Sequence, residues 1–188
     1  MKNHIIQTIA MHRKMLDNLE ADCIRAIEDT AKTIIKSIEK GGILYICGNG
    51  GSAADAQHIA GEFIGRFLRE RKALPAVALS TDTSIITCIG NDYSFEDIFA
   101  RQVEGLVKKR DCLWAFSTSG KSPNILKAAK LAKKLGAKVI AFTGKKNSPL
   151  EKLADVCLCA EADKTFAVQE IHQIAYHIIC DLVEKHFA

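Results

Sequence analysis

Five short runs of apolar, β-favouring residues alternate with longer stretches of helical character, and this alternation constrains the chain more than any other feature. The runs are Ile43 to Cys47, Ala76 to Leu79, Cys112 to Phe116, Val139 to Phe142 and Val156 to Leu158. A half-exposed strand would alternate apolar and polar residues; these are almost continuously apolar, so each is expected to be covered on both faces. Helices are expected between them at about 52–69, 83–107, 122–135 and 148–153, with a last one at about 165–186. The pattern predicts an α/β fold of three αβα layers around a five-stranded parallel sheet. Ligands in such sheets gather beyond the carboxyl ends of the strands, so the loops that follow the strands carry the functional information.

Ahead of the first run, residues 4–40 contain neither Gly nor Pro and repeat apolar residues at helical spacing: Ile5, Ile9, Leu16 and Leu19, then Ile24, Ile27, Ile34 and Ile38. They read as two helices ended by Gly41-Gly42. The 188 residues suit one domain. With 26 Lys+Arg intermixed with 22 Asp+Glu, the net charge of +4 argues against a nucleic-acid partner and permits an anionic small molecule. No run approaches the roughly 18 apolar residues of a membrane span, and His12, Arg13, Lys14 and Asp17 stand where a signal peptide would be apolar. A soluble, cytoplasmic protein without a membrane or nucleic-acid partner is expected. The seven cysteines, an odd number mostly set in or beside apolar runs, fit reduced thiols better than a disulfide framework. Cys157 and Cys159 share a strand face, but no second pair at zinc-site spacing accompanies them.

Two loops have the character of phosphate sites. The first strand runs into Gly48-Asn49-Gly50-Gly51-Ser52, which combines permissive backbone, a small hydroxyl residue and the N–H groups of a helix start. The same residues fit a dinucleotide fingerprint, Gly48-x-Gly50-x-x-Ala53, with Asp82 placed where a ribose-binding acid would be. The third strand ends in Ser117-Thr118-Ser119-Gly120-Lys121-Ser122-Pro123, with four hydroxyls, one cation, and Ser122 and Pro123 as the N-cap and first residue of a helix. A Walker A loop would need Gly at 115, where this chain has Ala115. Two such loops in one parallel sheet favour a single phosphate ester held jointly.

Downstream of the first loop, Ala53, Ala56, Ala60, Phe63 and Phe67 mark the buried side of a helix, and Asp55, His58, Glu62 and Arg66 form a polar stripe. Taken alone, the stripe is an ordinary solvent face with i,i+4 pairs. His58 and Glu62 are nevertheless one turn apart, a spacing that suits metal ligation or the placement of a carboxylate base. In the last helix, Gln169-Glu170-Ile171-His172 is followed by His177 among Ile174, Ile178, Ile179 and Leu182, where a core histidine and a catalytic one are both compatible with the pattern.

The blocks from Gly48 to Glu62, Gly90-Asn91-Asp92, Ser117 to Ser122 and Gln169 to His172 together resemble the phosphoheptose isomerases of the sugar isomerase (SIS) superfamily, in order, spacing and total length. The resemblance implies a flavodoxin-like SIS fold as a single domain over 1–188, with 1–40 as an oligomerisation segment and 41–188 as the sugar-phosphate-binding core. It implies conversion of sedoheptulose 7-phosphate to D-glycero-D-manno-heptose 7-phosphate, on the way to ADP-heptose and lipopolysaccharide or capsule, by a homotetramer with active sites between subunits. Residue by residue, it makes Ser52, Ser117, Thr118, Ser119 and Ser122 phosphate ligands, and Asn49, Gly50, Gly51, Asn91, Asp92 and Gln169 substrate contacts. Glu62 and His177 become the catalytic pair, and His58, Glu62, Gln169 and His177 the ligands of a zinc ion. Gln169 and His177 are eight residues apart, about 12 Å along a regular helix, which strains that ligand set within one chain.

Two positions depart from the family pattern. Ala167 stands where relatives often carry Arg, and Lys121 where Asn is common; a point ammonium does not reproduce a guanidinium fork, so the departures bear on sugar preference. Two further readings stay open at this level: a non-catalytic SIS-type regulator that binds a protein partner, and a nicotinamide enzyme built on the Gly48 fingerprint. Retention of Glu62 and His177 weighs against the first. The second leaves the hydroxyl loop and the His58/Glu62 stripe without a use.

Overall fold

The computed structural model describes residues 1–188. In chain order the elements are α1 (Lys2–Glu39), β1 (Leu44–Cys47), α2 (Gly51–Ile64), β2 (Ala76–Ala78) and α3 (Thr83–Asp92); a 3₁₀ turn (Phe95–Asp97), α4 (Ala100–Leu106), β3 (Cys112–Ser117) and α5 (Pro123–Lys134) follow. The chain ends with β4 (Lys138–Thr143), α6 (Pro149–Leu153), β5 (Val156–Cys159) and α7 (Thr165–Phe187). All five strands are parallel, in the order β2-β1-β3-β4-β5. The expected three-layer α/β architecture is therefore present.

Alternate strand residues feed two cores, as the pleat requires. Leu44, Ile46, Trp114, Phe116, Ile140 and Phe142 face α1, α2 and α7. Tyr45, Cys47, Leu113, Ala115, Val139 and Ala141 face α3 to α6. Both faces are covered, which is why the strand sequences lack polar alternation. All seven cysteines are free thiols. No helix is long and apolar enough to cross a membrane.

Three element boundaries differ from the sequence expectation. The N-terminal region is one helix of 38 residues, not two. Met15, Leu19, Cys23, Ile27, Ala31 and Ile34 are all buried on it, so the core-facing stripe runs through the proposed break without interruption. The stretch at 83–107 is not one helix, because α3 stops at Asp92 and Ser94 takes an extended conformation with its hydroxyl bonded to Asp97. That local side-chain bond opens a new turn without help from Gly or Pro. The helix expected at 52–69 ends at Ile64. There the Arg71 guanidinium donates to the carbonyls of Glu62, Phe63 and Gly65 at 2.7, 2.8 and 3.1 Å, supplying partners to carbonyls that the helix leaves free.

Candidate active site

Strand order reverses between β1 and β3, and a crevice opens there at their carboxyl ends. The two hydroxyl- and glycine-rich loops form its walls. Gly50 has a φ of 54°, and a Cβ at Gly48 would lie 2.4 Å from the Ser52 carbonyl, so the backbone can turn this tightly onto α2 only with glycine at both positions. Ser52 is buried by that turn. Across the crevice, the Asn49 and Asn124 side chains exchange two hydrogen bonds, each 2.9 Å, which lock the first loop to the first turn of α5. Ser122 does occupy the N-cap position before Pro123, yet its hydroxyl makes no cap bond. It pairs instead with Ser117 Oγ at 3.0 Å, and Ser117 Oγ is 3.4 Å from Ser119 Oγ. The hydroxyls therefore cluster inside the loop and are organised before any ligand arrives. The Lys121 side chain is exposed, while its backbone N–H donates to Ser119 Oγ at 3.2 Å.

A second group of chemically active side chains lies between α2 and α7. His58 Nε2 is 3.1 Å from Glu62 Oε1 and 3.5 Å from His177 Nε2. One ligand atom from each of the three lies within 4.8 Å of the others. His177 is held in place by Phe67, stacked at 5.6 Å, and by the edge of Tyr176 at 4.6 Å. Burial pushes the His177 pKa down, and neighbouring His58 adds to this against the opposing pull of Glu62. A neutral imidazole is thereby favoured. The Tyr176 hydroxyl is hydrogen-bonded to His58 Nδ1 at 3.0 Å, with the direction set by the imidazole tautomer, and lies 3.5 Å from Asp55 Oδ1. Burial raises the Asp55 pKa to about 6 despite the Tyr176 hydroxyl and His58, which both favour the carboxylate.

Placement of the sequence candidates is thus uneven. His58, Glu62 and His177 converge, and the loop of Asn49, Gly50, Gly51 and Ser52 is tied by the Asn49–Asn124 bonds to the helix that follows the loop of Ser117, Thr118, Ser119 and Ser122. Gln169 packs its amide against Gly51 at the start of α2, about two helical turns before His58. Asn91 and Asp92 are exposed on the last turn of α3 and bond to each other and to Cys88, not to the loops. Asp82 caps α3 by accepting from Ile85 N at 2.9 Å, which gives its carboxylate a structural use. The sequence pattern marks neither Asn124 nor Tyr176 as a site residue, and it offers Asp55 only as part of a polar stripe. Asn124 follows a helix-starting Pro, and Tyr176 has the spacing of a core aromatic; neither setting announces a polar contact.

Gly51 provides a direct test of the contact with α7. A Cβ there would fall 2.6 Å from Gln169 Nε2, the mobile end of a side chain, so the amide must move and the backbone need not. Gly51→Ala is expected to raise KM for a substrate seated on the first loop severalfold with a small change in melting temperature. A large loss of stability with unchanged KM would show that Gly51 serves only folding.

The far end of α2 is fixed by another arrangement. The Glu184 carboxylate, 1% exposed, accepts from the backbone N–H groups of Phe67, Leu68 and Arg69 at 2.8, 2.6 and 2.8 Å and pairs with Arg71 Nε at 3.4 Å. Through these bonds α7 determines where the segment after α2 runs, and hence where Phe67 meets His177.

A family model described as the SIS domain matches residues 9–144. A phosphoheptose isomerase from a Nitratiruptor species is 44% identical over 187 residues, covering 100% of both chains. One from Helicobacter pylori is 46% identical over 176 residues, 94% of this chain and 90% of that protein. The solved structure of a phosphoheptose isomerase from Neisseria gonorrhoeae superimposes with a TM-score of 0.92 at 35% identity, covering 98% of each chain. Matched along its whole length in both sequence and fold, the chain belongs to the phosphoheptose isomerases of the SIS-domain family and is an isomerase.

Proposed function

We propose that the protein interconverts sedoheptulose 7-phosphate and D-glycero-D-manno-heptose 7-phosphate in the cytoplasm, supplying a heptose phosphate for ADP-heptose and for lipopolysaccharide or capsule. The observation that carries this reading is the convergence of Glu62, His177 and His58 within 4.8 Å, on the two helices that also carry Ser52 and Gln169 near their starts.

In this reading the phosphate is held by the hydroxyls of Ser52, Ser117, Thr118, Ser119 and Ser122. Asn49, Gly50, Gly51, Asn91, Asp92 and Gln169 contact the sugar. Glu62 takes the proton from C1 of the ketose; the C–H electron pair forms the C1–C2 double bond, and the C2 oxygen takes a proton from His177. His177 then accepts the O1 proton as the C1 carbonyl forms, and Glu62 returns its proton to C2. No atom is gained or lost, and both groups finish as they began. A carboxylate and an imidazole carry out these transfers near neutral pH. The exposed Lys121 and the buried Ala167 alter the charge around the phosphate loop, and we assign to them any departure in sugar preference.

A zinc ion fits the donor set, which offers two imidazole nitrogens and one carboxylate with a fourth position open. His58, Glu62 and His177 would hold it, and when bound it would polarise the substrate oxygens. Since Gln169 of the same chain stands against Gly51, its role as a fourth ligand would fall to another copy. That agrees with a homotetramer whose active sites lie between subunits. Ile5, Ile6, Ile9 and Ile24 on α1 and Ile174, Ile178 and Leu182 on α7 are exposed and would be covered in such an assembly. Protein purified without added zinc is expected to carry the metal at near-stoichiometric level, and His58→Ala to abolish it. Elemental analysis together with activity after chelation checks this.

The assay that tests the activity incubates the protein with sedoheptulose 7-phosphate and follows aldose formation by NMR, with fructose 6-phosphate as the control. Turnover of the heptulose ester is expected. Turnover of the hexulose ester alone would redirect the substrate assignment, and turnover of neither would overturn it.

A further inference from the structure

Between α2 and α7 lies a polar file that the proton transfers described above leave unused. Tyr176 is fully enclosed, with its hydroxyl 3.0 Å from His58 Nδ1 and 3.5 Å from Asp55 Oδ1. The other carboxylate oxygen, Asp55 Oδ2, is buried and has no hydrogen-bond partner. A buried acceptor left unpaired costs stability, so Asp55 is poorly explained as a purely structural residue.

The arrangement gains a use once the proton on His58 is followed. A neutral imidazole has one N–H and one bare nitrogen. With the proton on Nε2, His58 donates to Glu62 Oε1, 3.1 Å away, and Nδ1 accepts from the Tyr176 hydroxyl. With the proton on Nδ1, the Nε2 lone pair is free toward Glu62 and His177. Nδ1–H then donates to the Tyr176 oxygen, whose own proton needs another acceptor, and Asp55 Oδ1 is in position to receive it. Rotation of one O–H bond serves both states, and no group changes its charge.

We propose that Asp55 and Tyr176 form a hydrogen-bond relay that sets which nitrogen of His58 carries the proton, holding Nε2–H toward Glu62 in the metal-free protein and freeing Nε2 for a divalent cation. Tyr176 is therefore a positioning residue acting through His58, with Asp55 as the acceptor that makes the second state possible. A carboxylate reached through a hydroxyl orients the ligating imidazole and raises its basicity. The cation part rests on the zinc site proposed above.

The full-length protein, labelled with ¹⁵N-histidine, is measured zinc-free and zinc-loaded; long-range ¹H–¹⁵N spectra read the His58 tautomer, and competition with a chromophoric chelator reads zinc affinity. In the wild type the His58 proton is expected on Nε2 without zinc and on Nδ1 with it. Tyr176→Phe, which keeps the ring and leaves Glu62 alone to hold Nε2–H, is expected to weaken the metal-free preference and to bind zinc about 10- to 100-fold more weakly. Asp55→Asn is expected to lower zinc affinity by a smaller factor. A folded Tyr176→Phe with wild-type tautomer and wild-type affinity would overturn the relay, as would absence of zinc binding by the wild type. If Tyr176→Phe does not fold, Asp55→Asn decides, and unchanged affinity in that variant overturns it. No readout uses the sugar phosphate, so failure of the isomerase substrate assignment and failure of the relay remain distinguishable.

Discussion

Replacing Glu62 by Gln is expected to lower turnover of the sugar phosphate by about 10²- to 10⁴-fold, the range that a positioned acid or base contributes. The change is nearly isosteric. The amide can still meet His58 Nε2, 3.1 Å away, through its oxygen, so packing between α2 and α7 should survive. What it cannot do is accept a proton from carbon. The loss should therefore appear in kcat, with KM and melting temperature close to those of the wild type. Running the reaction in D₂O adds a second readout, because the base returns its proton at C2 after exchange with solvent. Wild-type protein is expected to exchange deuterium into substrate and product, and Glu62→Gln to exchange neither at a comparable rate. Normal folding with undiminished turnover would remove Glu62 from the carbon-proton role. Loss of turnover with exchange retained would move Glu62 to a later step.

The largest stability effect is expected at Glu184. Its carboxylate is the acceptor for three successive backbone N–H groups and the partner of a guanidinium whose side chain is 2% exposed. Glu184→Ala leaves those donors and the Arg71 charge enclosed without a counterpart, and breaking such a pair costs about 3–5 kcal/mol. For a chain of this length each kcal/mol is worth about 2–4 °C, so the melting temperature should fall by about 6–20 °C. Activity should fall with it, since the segment held by Glu184 places Phe67 against His177.

The same carboxylate gives the stability a pH signature. Burial alone would raise its pKa, but the N–H groups of Phe67, Leu68 and Arg69 and the Arg71 charge outweigh burial and hold it below the ordinary glutamate value. A carboxyl whose folded pKa lies below its unfolded one contributes its full stabilisation above the unfolded value. It loses that contribution as pH falls through the folded value. The difference in unfolding free energy between wild type and Glu184→Gln, measured in urea, should therefore be constant near neutrality and shrink as the solution is acidified. A difference that does not change with pH would mean that the carboxylate charge is not what holds the segment.

Much of the architecture was legible from short-range chemistry. Unbroken apolar runs identified buried parallel strands, and Ser122-Pro123 identified the start of α5 to the residue. The i,i+4 spacing of His58 and Glu62 put them on one face. The misplaced boundaries have a common cause. Ser94 and Arg71 end or begin elements with side-chain bonds, and such bonds leave no periodic trace; the stripe from Met15 to Ile34 continues through a point where no single residue type marks continuity. The resemblance to the family supplied His177, which periodicity alone left open between a core histidine and a catalytic one.

The partnerships are a different matter. Tyr176 and His58 are 118 residues apart in the chain, Asn49 and Asn124 75 apart, and Glu184 is 117 from Phe67. What the sequence determined by itself was the elements, their layering and the two loops, because backbone conformational preference and apolar periodicity act over a few residues. What tertiary structure alone decided was which buried polar group answers which. A hydrogen bond between distant residues depends on packing two helices to within about 3 Å of a required geometry, and no local pattern records that distance.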